Sequence, residues 1–221
     1  MRQLIATNGP PAIPPPLCRP IGAIAILSGL TVVVLGAQHT GDIAAGRLDR
    51  WAQTAVIALW PEPGLGAIVI GTAGDPLWVA VLTGLLAAAC LALGRRRLAV
   101  VAVVGVGMTG IVTTALKQVV GRTIHEGFLS YPSGHTAAAT VLTLVMMLLL
   151  ISLLEAGRLP GLLLILIGTG TAGSGMALAQ VVLDVHYATD TLGGFCTALV
   201  VVPATAFLVD RLADDTTGAE H

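Results

Sequence analysis

Two stretches of the sequence place a histidine among residues that suit proton or phosphoryl transfer. In Tyr-Pro-Ser-Gly-His-Thr, His135 follows Ser133 and Gly134, and the proline and glycine leave backbone N–H groups free at a predicted helix N-terminus. Such N–H groups and the helix dipole attract anions. In the second stretch His186 and Asp190 are four residues apart, so they share one face of a helix. A carboxylate bonded to one imidazole nitrogen leaves the other free as a nucleophile or base.

A third stretch adds positive charge. Lys117 is the only lysine of the chain, and Arg122 follows it five residues later. These cations and the hydroxyl of Ser133 could bind an anionic group. Together the three stretches contain the parts needed for phosphoryl transfer through a phosphohistidine, with a second histidine to protonate a leaving group. Nothing in them requires a metal or another cofactor.

Each stretch also has a structural explanation when it is taken alone. Lys117 could anchor a helix end among lipid headgroups, and Ser133 could be a helix N-cap followed by a surface histidine. His186 and Asp190 could form a buried pair that only satisfies itself. Because a membrane bundle rarely buries such a pair without using it, the catalytic interpretation is favoured.

The composition assigns the chain to the helical membrane proteins. Of its 221 residues 55% are apolar and only 10% are charged, and its mean hydropathy is +0.90, whereas soluble domains are about a quarter charged. The ten-residue alternation of a membrane barrel is not present. A net charge of −1 without a basic tract excludes nucleic acid as a partner. We therefore expect an all-α, polytopic membrane helix bundle, and the sequence indicates no oligomeric state.

Six apolar segments are long enough to cross a bilayer, and they define a domain over residues 21–209. They are Ile21–Gln38, Pro76–Leu93, Leu98–Leu116, His135–Leu154, Gly161–Leu178 and Thr191–Val209. Residues 1–20 are proline-rich, so we expect a flexible or surface-lying lead-in before a retained first helix rather than a cleaved signal peptide. The acidic residues 210–221 are expected to form a disordered tail.

Two further segments do not fit a simple crossing. Gly41–Trp60 carries four charged residues and two tryptophans, which is typical of a helix on the membrane surface. Gly64–Ala73 is apolar, but about ten residues cannot cross the hydrocarbon. The alternative is a full span over Thr54–Ala73, which would reverse the topology upstream.

The basic residues predict the orientation. Six spans put both termini on one side, and this side carries seven arginines against four basic residues on the other. The seven are Arg2, Arg19, Arg95, Arg96, Arg97, Arg158 and Arg211, and the four are Arg47, Arg50, Lys117 and Arg122. Because positive charge favours the cytoplasmic side, we expect a multi-pass plasma-membrane protein with cytoplasmic termini. The three polar stretches then lie on the extracytoplasmic face.

From Leu98 to Val209 the sequence resembles the type 2 phosphatidic acid phosphatase superfamily, metal-independent lipid phosphatases that share their site with vanadium haloperoxidases. The resemblance is carried by Pro132-Ser133-Gly134-His135 and by His186-Tyr187-x-x-Asp190 followed by Gly193-Gly194, in the family's order. It implies a six-helix fold with the active site at the outer membrane face. It also implies His186 as the nucleophile, Asp190 as its orienting partner and His135 as the acid for the leaving group. The phosphate ligands it implies are Lys117, Ser133 and Gly134.

Three positions depart from the family pattern. Ile124 stands where an arginine follows the lysine by seven residues, Gln180 stands where the arginine of a Ser-Arg pair is common, and Asp184 stands where a glycine is common. The phosphate pocket is therefore less positive by as much as three charges. The residues expected to supply replacement donors are Arg122, Gln180, Thr123 and His125.

Asp184 has three possible roles. It could point away from the site, pair with Arg122, or contact a hydroxyl or cationic part of the substrate. The candidate headgroup contacts are Asp184, Thr123 and His125.

These residues predict a membrane lipid phosphatase that forms a phosphohistidine. The candidate substrates are a polyprenyl phosphate, a polyprenyl-phosphoryl sugar phosphate and phosphatidic acid. A lipid phosphotransferase using the same site and a non-catalytic lipid-binding descendant are the alternatives. Vanadate-dependent oxidation is least favoured, because it relies on the arginines that this chain lacks.

Overall fold

The structure, a computed structural model, describes residues 9–60, 62–125 and 127–218, with side chains to residue 215. A short 3-10 turn at Pro15–Leu17 precedes the first long helix. The helices are α1 (Cys18–Gln38), α2 (Arg47–Leu59), α3 (Leu65–Ala73), α4 (Pro76–Ala92), α5 (Arg96–Val120), α6 (Gly134–Leu154), α7 (Arg158–Val182) and α8 (Ala188–Gly218). Between α5 and α6 the strands β1 (Thr123–Ile124) and β2 (Phe128–Leu129) form an antiparallel ribbon, in which Thr123 pairs with Leu129. The expected all-α membrane bundle is confirmed.

Five of these helices are long and apolar enough to cross a membrane. They are α1 with its preceding turn, α5, α6, α7 and α8. The expected second span is helix α4, which has 17 residues and meets the length requirement only together with α3. The two helices are bent by 64° at a short break, so the described residues contain five candidate spans, or six if the bent pair counts as one. Proline at the first position of α4 and glycine at the end of α3 favour a break there.

The segment that we expected on the membrane surface forms α2, which is not among the candidate spans. Because α2 ends at Leu59 and α3 begins at Leu65, the alternative of one helix over Thr54–Ala73 is wrong. The exposed side of α2 carries large apolar residues, such as Leu48 and Trp51.

Helix α8 lies at the centre of the bundle and packs against α1, α5 and α6, while α6 also packs against α7. The contacts are made by fully buried small and branched residues, among them Val101, Val141, Ala198 and Val202. Glycine also allows close approach, because a Cβ at Gly194 would meet the backbone carbonyl of Ser133 at the start of α6. Small residues at such contacts are what close helix packing in membranes requires.

The described residues at the two ends of the chain are more ordered than expected. In the lead-in, which was expected to be flexible or to lie on the surface, Ala12, Ile13 and Leu17 are buried and α1 begins at Cys18, whereas residues 1–8 lie outside the described part. The tail is not disordered from residue 210, because α8 continues to Gly218; residues 219–221 lie outside the described part. The physical reason is Asp210, whose carboxylate accepts the N–H groups of Ala12 and Ile13 at 2.8 and 3.2 Å and pairs with buried Arg97 at 3.3 Å. These bonds tie both ends of the chain to α5.

Candidate active site

His186 lies in the turn between α7 and α8, and Asp190 lies in the first turn of α8. Both side chains are buried, and Nδ1 of His186 is 3.8 Å from Oδ2 of Asp190. This distance is too long for a hydrogen bond, and Nδ1 has no hydrogen-bond partner among the described residues. Catalytic hydrogen bonds are often long without a substrate, so the pair has the arrangement of an orienting carboxylate and its histidine.

The surroundings of His186 favour its neutral form. Burial lowers the pKa of His186, Asp190 opposes this change, and the charges of Lys117 and His135 lower the pKa further. The imidazole therefore keeps a free lone pair at neutral pH. A nucleophile needs such a lone pair.

His135, at the start of α6, faces His186 across a cavity. The two ring centroids are 6.5 Å apart, and both rings line a cavity of about 490 Å³ together with Lys117 and Gly134. Nζ of Lys117 donates to the carbonyl of Leu129 at 2.8 Å. The structure thus brings both predicted histidines, the lysine and the first helical glycine around one space.

Ser133 caps α6 and is completely buried. Its Oγ accepts the backbone N–H and the hydroxyl of Thr136 at 3.4 and 3.2 Å, and its own N–H donates to the carbonyl of Asp190 at 2.9 Å. These bonds join the beginnings of the helices that carry His135 and Asp190. In this arrangement the hydroxyl of Ser133 is a helix cap.

Arg122 was expected to bind phosphate, but the structure places it behind the His186–Asp190 pair. Its side chain is fully buried, and Nη1 donates to Asp190 and to the hydroxyl of Thr189, both at 2.6 Å. The guanidinium also lies 4.3 Å from the ring centre of Tyr187. Arg122 therefore holds Asp190 and the turn beside His186, and it is not a lining residue of the cavity that the two histidines share.

Asp49, on α2, completes this buried network and was missed by the sequence analysis. Its Oδ2 accepts from Nη2 of Arg122, and its Oδ1 accepts the N–H and hydroxyl of Thr189 at 2.9 and 2.8 Å. Burial raises the pKa of Asp49, but these hydrogen bonds and the charge of Arg122 more than offset it and leave the pKa below its ordinary value. The sequence carries no signal for this role, because Asp49 and Thr189 are 140 positions apart and Asp49 is buried on a helix whose Trp51 is exposed.

Asp75 was read only as the boundary before a span. It is the N-cap residue of α4, yet its side chain makes no cap hydrogen bond and instead lies 3.1 Å from Nε2 of His135. An acid before proline at a helix start is typical of a cap, so the sequence carried no signal for this contact. The site therefore contains two histidine–aspartate pairs.

Gln180 lines a second cavity of about 350 Å³, on the side of the two histidines that faces α3. Its Nε2 makes only a 3.7 Å contact with the sulfur of Met176, and its buried Oε1 has no partner among the described residues. Gln180 is thus close enough to share a cavity with His135 and His186. It contributes no charge.

The three candidate headgroup residues line neither cavity. Asp184 accepts from Gln53 at 2.9 Å and pairs with His125 at 3.1 Å, and both members of this pair are more than half exposed. Of the expected roles of Asp184, the structure thus shows an ion pair, but with His125 rather than with Arg122. Thr123 is held in strand β1, where its N–H donates to the carbonyl of Asp42 at 2.9 Å.

The comparisons with known proteins agree with this architecture. A crystal structure described as the first transmembrane PAP2 type phosphatidylglycerolphosphate phosphatase from Bacillus subtilis has a similar fold, with a TM-score of 0.64 and 21% sequence identity. The similarity covers 86% of this chain and 96% of that one. No curated protein matches the sequence. The family model of the PAP2 superfamily matches residues 98–213, more than half of the chain and including both histidine motifs. The resemblance found in the sequence is thereby confirmed, and this membrane-embedded chain belongs to the PAP2 superfamily.

Proposed function

We propose that the protein is a metal-independent phosphatase that removes phosphate from a membrane lipid. The observation that carries this proposal is the shared cavity of His186, His135 and Lys117, which is otherwise lined mainly by small and apolar residues of α4 and α5. A phosphate group fits beside the two histidines and the cation. The chain of the lipid fits against the apolar lining, such as Val79, Ala80 and Val106.

The reaction proceeds in two displacements on phosphorus. Nε2 of His186 attacks the phosphorus atom while the bond to the lipid oxygen breaks, and His135 gives its proton to that oxygen. Asp190 accepts the N–H at Nδ1 of His186 as positive charge develops on the ring. Water then gives a proton to His135 and attacks phosphorus, so that the P–N bond breaks and phosphate is released.

In this proposal, few residues of the chain bind the phosphate group of the substrate. Lys117 provides the positive charge, and the backbone N–H groups at the start of α6, where Gly134 lies, provide donors aligned with the helix dipole. Gln180 contributes an amide from the neighbouring cavity. Arg122 acts indirectly, because it positions Asp190.

We place the active site on the extracytoplasmic face of the plasma membrane, with the termini in the cytoplasm. The excess of arginine near the termini supports this orientation. The candidate substrates are a polyprenyl phosphate, a polyprenyl-phosphoryl sugar phosphate and phosphatidic acid. Phosphatidylglycerolphosphate, which is named in the description of the similar Bacillus subtilis structure, is a further candidate. These lipids form the substrate panel for the assay.

The second cavity favours phosphotransfer as the other candidate function. It contacts both histidines, so an alcohol in it could replace water as the acceptor of the phosphoryl group. Adding acceptor alcohols to the assay separates the two reactions. Transfer gives a phosphorylated alcohol, whereas hydrolysis gives free phosphate.

The proposal is tested by the release of phosphate from this panel in detergent micelles with a metal chelator present. The wild-type protein is expected to release phosphate from at least one lipid, and His186→Ala is expected to lower kcat by about 10³-fold or more. Quenching in alkaline detergent with a lipid radiolabelled in its phosphate is expected to trap label on the wild-type protein, because a phosphohistidine is stable to base and labile to acid. Asp42→Asn is the control, because Asp42 pairs with His39 away from both cavities. Full phosphate release by His186→Ala contradicts the mechanism, and no release by the wild type from any lipid contradicts the function.

A further inference from the structure

The break between α3 and α4 holds the imidazole of His135. At the break, Oδ1 of Asp75 lies 3.1 Å from Nε2 of His135, and both residues line the second cavity. The side chain of Asp75 is 51% exposed and that of His135 is 32% exposed. The pair is therefore in reach of a substrate.

Gly74 makes a second, independent contact with the same ring. A Cβ atom at Gly74 would lie 2.6 Å from Cδ2 and 3.0 Å from Cγ of His135, so only glycine lets the backbone approach this closely. The bend thus fixes the imidazole by backbone packing on its carbon atoms and by a carboxylate at one nitrogen. Neither Gly74 nor Asp75 belongs to residues 98–213, the part that the family model matches.

The Asp75 contact decides which nitrogen of His135 can exchange a proton. An ionised carboxylate only accepts hydrogen bonds, so Nε2 must carry a hydrogen. The exchangeable position is then Nδ1, which is a base when His135 is neutral and an acid when it is protonated. The tautomer is set in the same way as in a serine-protease triad.

We propose that Asp75 is a positioning residue for His135, which it holds in the tautomer and orientation that deliver a proton from Nδ1 to the departing lipid oxygen. This inference rests on the proposed phosphatase function. In the first step the Nδ1 proton passes to the lipid oxygen as the P–O bond breaks. In the second step Nδ1 takes a proton from the attacking water, while the Nε2 hydrogen stays bonded to Asp75 throughout.

The experiment compares two phosphate esters that differ in their need for an acid. Hexadecyl phosphate releases a poor alkoxide leaving group, which must be protonated, whereas p-nitrophenyl phosphate releases a phenolate that leaves without a proton. We expect Asp75→Asn and Asp75→Ala to lower kcat/KM for hexadecyl phosphate by about 10- to 100-fold, because general acid catalysis contributes about 10²–10⁴-fold. For p-nitrophenyl phosphate the expected loss in kcat/KM is below about 3-fold, because the water step, in which His135 acts as a base for both esters, does not enter kcat/KM.

Two further variants act as references. Asp42→Asn removes the carboxylate of another histidine–aspartate pair, at 2.9 Å from His39, and is expected to leave both activities unchanged. Asp75→Glu keeps the carboxylate and is expected to recover part of the activity on hexadecyl phosphate. His135→Asn is expected to show the same dependence on the leaving group as Asp75→Asn.

Equal losses on both esters, or no loss on either, would overturn the positioning role of Asp75. Thermal unfolding in detergent shows whether each variant is folded; if neither Asp75→Asn nor Asp75→Glu folds, Asp75 is structural and the inference is also overturned. A wild-type protein that hydrolyses neither ester nor any lipid phosphate overturns the proposed function and the inference with it. An active wild type with a non-selective Asp75→Asn overturns the inference alone.

Discussion

Asp49 and Asp190 bind the two terminal nitrogens of the Arg122 guanidinium, and all three side chains are almost completely buried. Two carboxylates and one guanidinium leave one net negative charge beneath His186. In the reaction proposed above, such a charge would stabilise the imidazolium that forms when His186 attacks phosphorus. Removing one partner from a buried network leaves the others uncompensated, which is strongly destabilising.

Asp49→Asn is therefore expected to affect both stability and catalysis. Without the Asp49 charge, Arg122 interacts more strongly with Asp190, and the pull of Asp190 on the Nδ1 hydrogen of His186 weakens. We expect a loss of about 3 kcal/mol in the free energy of unfolding and a decrease of about 10-fold in kcat, measured by denaturation in detergent and by phosphate release. Asp42→Asn, in the loop between α1 and α2, is the matched control. A variant with wild-type stability and wild-type kcat would refute the role assigned to Asp49.

The sequence predicts the motif residues of the site, including Asp190 as the partner of His186, but not the supporting carboxylates Asp49 and Asp75. His186 and Asp190 can be paired because a spacing of four residues puts them on one helix face. Asp49 contacts Thr189, 140 positions later, and no local pattern encodes such a contact. The prediction that Arg122 binds phosphate has the same limit. Its charge indicates an anionic partner, but the sequence does not show that this partner is Asp49 and Asp190.

At the scale of elements, the geometry of the site depends on how closely α6 and α8 approach each other. The N–H of Ser133 donates to the carbonyl of Asp190, and Gly193 and Gly194 lie directly against Tyr131 and Ser133. A side chain at either glycine would occupy space already filled. The close approach of α6 and α8, which sets the distance between the two histidines, therefore depends on glycine at positions 193 and 194.

Gly194→Ala is expected to lower the free energy of unfolding by about 1–3 kcal/mol, as overpacking does. Because the new Cβ would meet the Ser133 carbonyl, α6 has to shift and kcat is expected to fall as well. The control is Gly170→Ala on α7, since nothing lies within 4 Å of a Cβ there. Thermal unfolding and phosphate release of the two variants are compared. Similar behaviour of the two alanine variants would contradict this account.

The long apolar runs make most helices predictable, because about twenty apolar residues can satisfy their backbone in a membrane only as a helix. The bend between α3 and α4 is different. Its composition indicates an interruption at Asp75 and Pro76, but not the 64° angle or the packing of α3 against α7 and of α4 against α5 and α6. Helix α8 is also longer than the sequence predicts. The aspartates beyond Val209 are typical of a disordered tail, but Asp210 and Asp214 pair with Arg97.

For the molecule as a whole, α8 connects the two ends of the bundle. Its first turn carries Asp190 at the site, and its last turns carry Asp210, which holds the N-terminal segment and Arg97. Both the stability of the bundle and the geometry of the site therefore depend on α8. A change in the protonation of the site should be measurable as a change in global stability.

The protein is expected to lose stability on acidification because of His186. Its folded pKa lies below the ordinary value of 6.5, so the unfolded chain binds a proton in a pH range where the folded chain does not. The free energy of unfolding therefore falls as the pH decreases from 6.5 through the folded-state pKa. In detergent, the wild type should lose stability more steeply between about pH 7 and pH 5 than His186→Asn, which lacks this group. Parallel pH profiles for the two proteins would contradict the assignment.

Two carboxylates outside the motifs, Asp49 and Asp75, support the histidines and come from the first half of the chain. Every motif residue comes from the second half. Asp49 reaches His186 through Arg122 and Asp190, and Asp75 reaches His135 directly. Each histidine thus has its own adjustable support outside the recognisable motifs. Changes in α2 or at the bend between α3 and α4 would therefore act on His186 and His135 separately, while the motif residues of the family stay unchanged.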